Sequence, residues 1–225
     1  RLAEDRRRND LTGKGRKRVE EYYLICEDSL EGIFTGIYNA YLMKKPHDRL
    51  HICVGAEDNY RLFAVYQECA PDEKKAASVA RTVLREFGEE AYLSVCRALA
   101  SPEADKGEAV YKAVVTGFSM RRRRELMGNL ADPYVRRVFE LARFTANEAH
   151  FHVEFLRFRE LQSGILYAPI GPKNNIITFI TPHFADRMPL ENFVIHDDTR
   201  NILAVHPKGR DWFLTSLQDG MELNN

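Results

Sequence analysis

Hydrophobic and polar positions in the first part of the chain repeat with two different periods. Short apolar runs at Tyr22–Cys26 and His51–Val54 have the length of buried strands. Between them, apolar side chains recur every three or four residues from Leu30 onward, which is typical of a helix with one buried face. A side-chain oxygen of Asp28 or Ser29 is placed to cap the first turn of that helix. The chain is therefore predicted to open as strand, helix, strand.

The middle of the chain has helical spacing almost throughout. Three helices are predicted first, over residues 72–87, over residues 91–100 and after Pro102. A fourth begins at Asp132-Pro133. Proline at the first helical position loses no hydrogen bond, because the N–H that it lacks would have no partner within the helix. Because no proline or glycine follows before Leu161, this helix is predicted to run for about 28 residues, or about 40 Å.

From Gly164 the pattern changes to short β-type runs separated by glycine and proline, which predicts an antiparallel meander. The predicted strands are Ile165–Ala168, Ile176–Ile180, Phe193–His196, Ile202–His206 and Trp212–Thr215. We expect an α+β fold, with central helices including one long helix packed on a mainly antiparallel sheet formed by N-terminal and C-terminal strands. Residues 1–20 are predicted to be a flexible basic arm, and residues 21–225 a single α+β domain.

Charge is balanced over the whole chain but not along it. The 225 residues carry 33 basic and 33 acidic side chains, so any contact with nucleic acid must be local. Residues 121–159 hold nine arginines against five acids. No apolar run approaches the roughly 18 residues of a membrane span. Without a visible secretory signal or paired cysteines, a cytoplasmic protein with reduced thiols is expected.

One arginine-rich segment is a candidate nucleic-acid-binding surface. Guanidinium groups can contact phosphates and release counterions, which makes binding depend on salt. Alternatively, these arginines lie on a solvated helix end and pair with acids such as Glu125. The candidate residues are Arg121, Arg122, Arg123, Arg124, Arg136, Arg137 and Arg143.

Polar residues of the second half form a candidate pocket. In one interpretation a histidine acts as general base and an arginine binds phosphate; in the other, the same groups form structural caps and ion pairs. Metal binding is not expected, because two histidines only two positions apart on a helix point in different directions. No nucleotide-binding glycine loop is present, and no cofactor is expected. The candidate residues are Glu148, His150, Arg157, His183, Asp186, Arg187, His196 and Asp197.

A set of ordered motifs covers about 200 residues after Tyr23. It includes Asp28-Ser29-Leu30-Glu31-Gly32, Asp132-Pro133-Tyr134-Val135, Glu148-Ala149-His150, the segment from Gly164 to Pro172, the segment from Pro182 to Arg187, and Ile195-His196-Asp197. In these motifs the chain resembles a bacterial family of probable DNA metabolism or DNA repair proteins. Phe151 and Glu154 depart from the family pattern, since a basic and a small residue are usual there.

The resemblance implies partners rather than a reaction. Members accompany a radical SAM (S-adenosylmethionine) DNA repair protein, and some relatives are fused to a uracil-DNA glycosylase domain. It therefore implies an accessory protein of DNA repair that binds single- or double-stranded DNA. Two alternatives stay open: a nuclease or base-processing hydrolase that uses the candidate pocket, and a protein-interaction scaffold.

Overall fold

A computed structural model describes residues 20–55 and 61–216, which contain six α-helices and eight β-strands. The strands are Glu21–Cys26 (β1), Leu50–Val54 (β2), Ala64–Cys69 (β3), Arg159–Glu160 (β4), Leu166–Ile170 (β5), Phe193–Asp197 (β6), Ile202–His206 (β7) and Phe213–Ser216 (β8). The α-helices are Leu30–Leu42 (α1), Glu73–Phe87 (α2), Glu89–Leu99 (α3), Lys106–Ser119 (α4), Pro133–Phe155 (α5) and Ile177–Arg187 (α6).

The strands form two separate sheets. In the first, β1 lies between β2 and β3 and pairs with both in parallel. The second has the order β4-β5-β6-β7-β8; β5 and β6 are parallel, and the other neighbours are antiparallel. The α+β class predicted from the sequence is confirmed. The expectation that N-terminal and C-terminal strands share one sheet is wrong, because each sheet has a hydrophobic core of its own.

The first core lies between the parallel sheet and the helices that follow it. Fully buried side chains of β1, α1, α2 and α4 fill it, among them Leu24, Phe34, Phe87 and Tyr111. The hydroxyl of Ser29 caps α1 by accepting a hydrogen bond from the N–H of Gly32 at 2.9 Å. A parallel pair of strands needs a crossover, and α1 supplies it between β1 and β2.

Helix α5 connects the two cores. Val135, Val138 and Leu141 in its first half are buried in the first core. Ala149 and Val153 in its second half pack against the second core, which also contains Phe193 of β6. Each half of one continuous helix is therefore fixed by different apolar contacts.

Helix α5 ends at Phe155, six residues before the predicted end. At Leu156 the backbone becomes extended, with φ −62° and ψ 130°. The ring of Phe158 then packs against Phe184 and Phe193, 5.3 and 5.5 Å between centroids. A continued helix could not place Phe158 in that core, so tertiary packing ends α5 without a proline or glycine.

The apolar run Ile176–Ile180 was predicted as a strand and is instead the start of α6. Ile176, Ile177, Ile180 and Phe184 are all buried at helical spacing, and the run alone does not distinguish a buried strand from a buried helix. Strand β3 was not predicted at all; only Cys69 of its six residues is buried.

The predicted basic arm falls almost wholly outside the described residues, which begin at residue 20. In the described part of the chain, no helix is both long and apolar enough to cross a membrane.

Candidate functional site

Glu148 of helix α5 binds the loop before α6 through three hydrogen bonds. Its carboxylate accepts hydrogen bonds from the backbone N–H groups of Lys173 and Asn174, both at 2.8 Å, and from the side-chain Nδ2 of Asn174 at 2.6 Å. Burial acts to raise the pKa of Glu148, but these hydrogen bonds outweigh it and hold the pKa below its ordinary value. This carboxylate has a structural role in the loop.

His150 and Arg157 lie on the surface. The His150 side chain is 72% exposed, and its Nε2 is 3.0 Å from Glu154, one helical turn further along. Arg157 is exposed and makes no hydrogen bond or ion pair with another residue of the described ranges. His152, which the sequence analysis did not select as a candidate, is half-buried; burial lowers its pKa, while the nearby Glu148 and Asp197 carboxylates act to raise it.

The three candidates on α6 line two different grooves. His183 and Arg187 line one of about 260 Å³ together with Glu154. Asp186 lines another of about 520 Å³ together with Trp212.

His196 and Asp197 point to opposite faces of β6. Asp197 is fully buried and accepts hydrogen bonds from the N–H groups of Thr199 and Arg200 and from Nη1 of Arg200 at 3.0 Å. His196 binds the hydroxyl of Tyr167 through Nδ1 at 2.7 Å on the other face. Side chains alternate along a strand, so these neighbours cannot contribute to one site.

The eight polar candidates are therefore divided among at least four surroundings instead of one pocket. Glu148 and Asp197 fix turns, His150 and Arg157 face solvent, the α6 residues line two grooves, and His196 binds a tyrosine. The described residues contain no group of three or more His, Cys, Asp or Glu side chains placed to hold a metal ion.

The candidate arginines separate into paired and unpaired groups. Arg122 pairs with Glu125 at 3.1 Å, Arg123 with Glu86 at 2.6 Å, and Arg137 with Asp105 at 2.8 Å. The remaining four are exposed and form no ion pair with any residue that the structure describes: Arg121, Arg124, Arg136 and Arg143.

Two of the unpaired arginines lie on the solvent face of the first half of α5, and the other two lie in the segment before this helix. Arg121 and Arg124 belong to the segment around a short 3-10 helix, Arg123–Gly128, that packs against α5. Arg136 and Arg143 are two turns apart on α5 itself, so they share one side of the helix. Glu140 lies between them and is 3.7 Å from Arg137.

Aromatic side chains lie among these arginines. The exposed fraction is 39% for Phe139 and 58% for Phe144. Helical spacing places both outside the buried stripe that Val138 and Leu141 define, and this signal was available in the sequence. The face defined by Arg136, Phe139, Arg143 and Phe144 is called the arginine–phenylalanine face below.

Among known proteins, the informative match of this chain is to a family profile. No curated protein sequence matches the chain. A solved structure described as a member of the s1p family of ribosomal proteins, DHH domain, is 9% identical and has a TM-score of 0.34, with 83% of this chain and 73% of that chain covered. A TM-score this low does not indicate a shared fold.

A family profile matches residues 104–223, which is more than half of the chain and includes α4, α5 and the whole second sheet. Its description is a domain of unknown function, DUF4130. The chain belongs to the DUF4130 family.

Proposed function

We propose that this protein binds single-stranded nucleic acid through the arginine–phenylalanine face of α5. The observation that carries the proposal is a pair of exposed guanidinium groups, on Arg136 and Arg143, without carboxylate partners and next to exposed phenylalanine rings. Arginines along a groove follow the phosphate backbone, and aromatic rings stack on unpaired bases. Both kinds of side chain are present on the exposed side of one helix.

The exposed rings favour single strands over duplexes. In a duplex the base faces are stacked on one another, whereas an unpaired base can stack on Phe139 or Phe144. Three of the seven candidate arginines already have carboxylate partners, so only four phosphate contacts are expected. Binding of moderate affinity and strong salt dependence follows.

In the cell this activity would be that of an accessory protein of DNA repair or DNA metabolism acting with a radical SAM partner. The family resemblance stated from the sequence motifs supports this role, and it also allows a uracil-DNA glycosylase as a further partner. The four free cysteines fit the reducing cytoplasm. No catalytic step is proposed, because the contacts of Glu148 and Asp197 are those of structural caps.

Fluorescence anisotropy with a labelled single-stranded thymidine oligonucleotide and a hairpin duplex of the same length tests the proposal. At low salt the single strand is expected to bind more tightly than the duplex. Replacing Phe144 by alanine is expected to weaken single-strand binding by about 5- to 150-fold, the loss of one stacked base at about 1–3 kcal/mol.

Two control variants separate stacking and local charge from general effects. The parts of the fold around the first and second cores are called the first and second lobes. Phe213 in β8 is 50% exposed and lies in the second lobe, so F213A is expected to bind like the wild type. Arg122 already pairs with Glu125, so R122Q is expected to matter less than R143Q. Tighter duplex than single-strand binding, or equal losses in F144A and F213A, would refute the proposal.

A protein-docking role is the second candidate, and the far end of α5 favours it. Phe151 and Phe155 are 57% and 61% exposed, and their rings are 4.9 Å apart. Glu154 and His150 pair beside them, so the negative charge of Glu154 lies next to these rings, unlike the pair of free arginines on the first half. If F151A weakens oligonucleotide binding as much as F144A does, the whole helix face contacts nucleic acid, and this second candidate is wrong.

A further inference from the structure

A cleft of about 860 Å³ lies between the two hydrophobic cores. One wall consists of the loop after β1, the end of α3 and the start of α4; the other consists of the start of α6 and the residues around Arg200. The volume falls within the range of roughly 300–1,000 Å³ that small-molecule sites occupy. The residues lining the cleft come from elements other than α5, so a ligand here is independent of the arginine–phenylalanine face.

The position of the cleft in the first sheet favours a ligand. β1 is the central strand, with β2 on one side and β3 on the other, so the connections diverge at its carboxyl end. In open parallel sheets, ligands bind in the crevice outside the carboxyl ends of strands at such a switch point. Asp28 and Ser29, which directly follow β1, line the cleft.

Lys106 brings a buried cation to the cleft wall. Its side chain is 4% exposed, and Nζ lies 2.6 Å from the carbonyl oxygen of Ser101 and 2.5 Å from Oδ1 of Asp28. The Asp28 side chain is 59% exposed, so the partner of this ammonium group lies at the mouth of the cleft. A ligand anion can take the place of Asp28 on Lys106 without leaving the cation unpaired.

Arg200 is held rigidly on the opposite wall. Its Nη1 donates to the carbonyl oxygen of Pro172 at 3.1 Å and to Asp197 at 3.0 Å, and Nη2 donates to the carbonyl oxygen of Lys173. These acceptors fix the guanidinium plane in one orientation at the cleft wall, and the buried Asp197 already neutralises the charge of Arg200.

The start of α6 leaves backbone N–H groups without partners, and Thr178 of this first turn lines the cleft. No side chain caps this helix, and the N–H groups of Ile177 and Thr178 donate to no other described residue. Oδ1 of Asn175, which also lines the cleft, is buried without a hydrogen-bond partner. Free N–H groups at a helix start suit an anion, whereas a buried carbonyl oxygen requires a donor.

From these groups we infer that the cleft binds a nucleoside phosphate. Its phosphate is held by the free amides of α6 and by Lys106, on which it takes the place of Asp28. A base or sugar donor satisfies Oδ1 of Asn175, and the base contacts apolar side chains of both walls, Leu93 of α3 and Phe179 of α6. A simple inorganic anion would leave Oδ1 of Asn175 without a hydrogen-bond donor. It would also leave the apolar side chains of the cleft without a contact.

Isothermal titration calorimetry with AMP, ADP, ATP, GMP and UMP tests the inference, with adenosine and inorganic phosphate as partial ligands. At least one nucleotide is expected to bind with a Kd below about 1 mM and at least tenfold more tightly than either partial ligand. Absence of binding by all five nucleotides, or phosphate binding as tightly as the best nucleotide, would overturn the inference.

A matched pair of substitutions at the exposed Thr178 locates the phosphate. A glutamate in the first turn of a helix is favourable for folding, but in T178E it brings a negative charge to the inferred phosphate position. We expect T178E to unfold at or above the wild-type temperature and to bind the nucleotide at least tenfold more weakly, while T178Q binds like the wild type. Equal binding by both variants, with both folded, would contradict a phosphate at α6.

Discussion

Replacing Glu148 by alanine is predicted to detach the loop before α6 from α5 and destabilise the fold. Three hydrogen bonds to the carboxylate are lost. The N–H of Lys173 is exposed and can bind water, but Asn174 is only 7% exposed, so its N–H and Nδ2 lose their partners. Two hydrogen bonds to a charged group at about 1.5 kcal/mol each give a loss of about 3 kcal/mol.

Urea unfolding at pH 7 measures this loss, and for a chain of this size it corresponds to a decrease in Tm of about 6–12 °C. E148Q keeps one acceptor oxygen and is expected to lose less. E154A is the control, since the Glu154 side chain is half exposed and its pair with His150 contributes about 0.5 kcal/mol at most.

The free energy of unfolding lost in E148A should also depend on pH in a defined direction. The folded-state pKa of Glu148 is lowered, so its contribution is complete above the unfolded-state pKa of about 4.3 and disappears as the pH falls through the lower folded-state value. The difference between wild type and E148A is therefore expected to shrink from pH 7 to pH 3. The proposed role of Glu148 would be refuted if the loss of unfolding free energy in E148A were equal at pH 7 and pH 3, or no larger than the loss in E154A.

Three further substitutions test the packing and caps of the first lobe. In G36A the new Cβ would lie 2.2 Å from Sγ of Cys26, so chemical denaturation should show a loss of about 2 kcal/mol or more, and a loss below about 0.5 kcal/mol would be inconsistent with this contact. Asp132 caps α5 through hydrogen bonds of 2.9 and 3.0 Å, so D132A should lose about 1–2 kcal/mol and D132N less; equal losses would argue against the cap. The hydrogen bond to Glu108 raises the pKa of His51, so the stability it adds is complete below the unfolded-state pKa of about 6.5 and is lost as pH rises through the folded-state value. H51Q should therefore cost more free energy of unfolding at pH 6 than at pH 9, and the reverse order would be contrary to this reasoning.

Local sequence patterns predicted those elements whose limits are set by local chemistry. Ser29, Asp72 and Asp132 cap three helices through their own side chains, and these helices begin where the sequence predicts. The end of α5 and the helical state of Ile176–Ile180 depend on contacts with the second core, which local spacing does not contain. The separation into two sheets likewise depends on contacts between distant residues.

In the candidate sites, too, features within one helix can be predicted from the sequence, whereas contacts between distant segments cannot. Once α5 is known to be helical, spacing alone places Arg136 and Arg143 on one side of it. The sequence does not show that Arg137 pairs with Asp105, more than thirty positions away, or that a cleft joins Asp28, Lys106 and Asn175. Arg137 and Asp105 come together when α4 packs against α5, and Asn175 joins Asp28 and Lys106 only when the two halves of the fold pack against each other.

The salt dependence of oligonucleotide binding tests the central proposal most directly. Four phosphate contacts predict a slope of about −3 for the logarithm of the single-strand binding constant against the logarithm of salt concentration. In the double variant R136Q/R143Q the slope should become shallower by about 1.4, whereas R210Q, an exposed arginine of the other lobe, should leave it unchanged. A wild-type slope retained by R136Q/R143Q would contradict nucleic-acid binding by the arginine–phenylalanine face of α5.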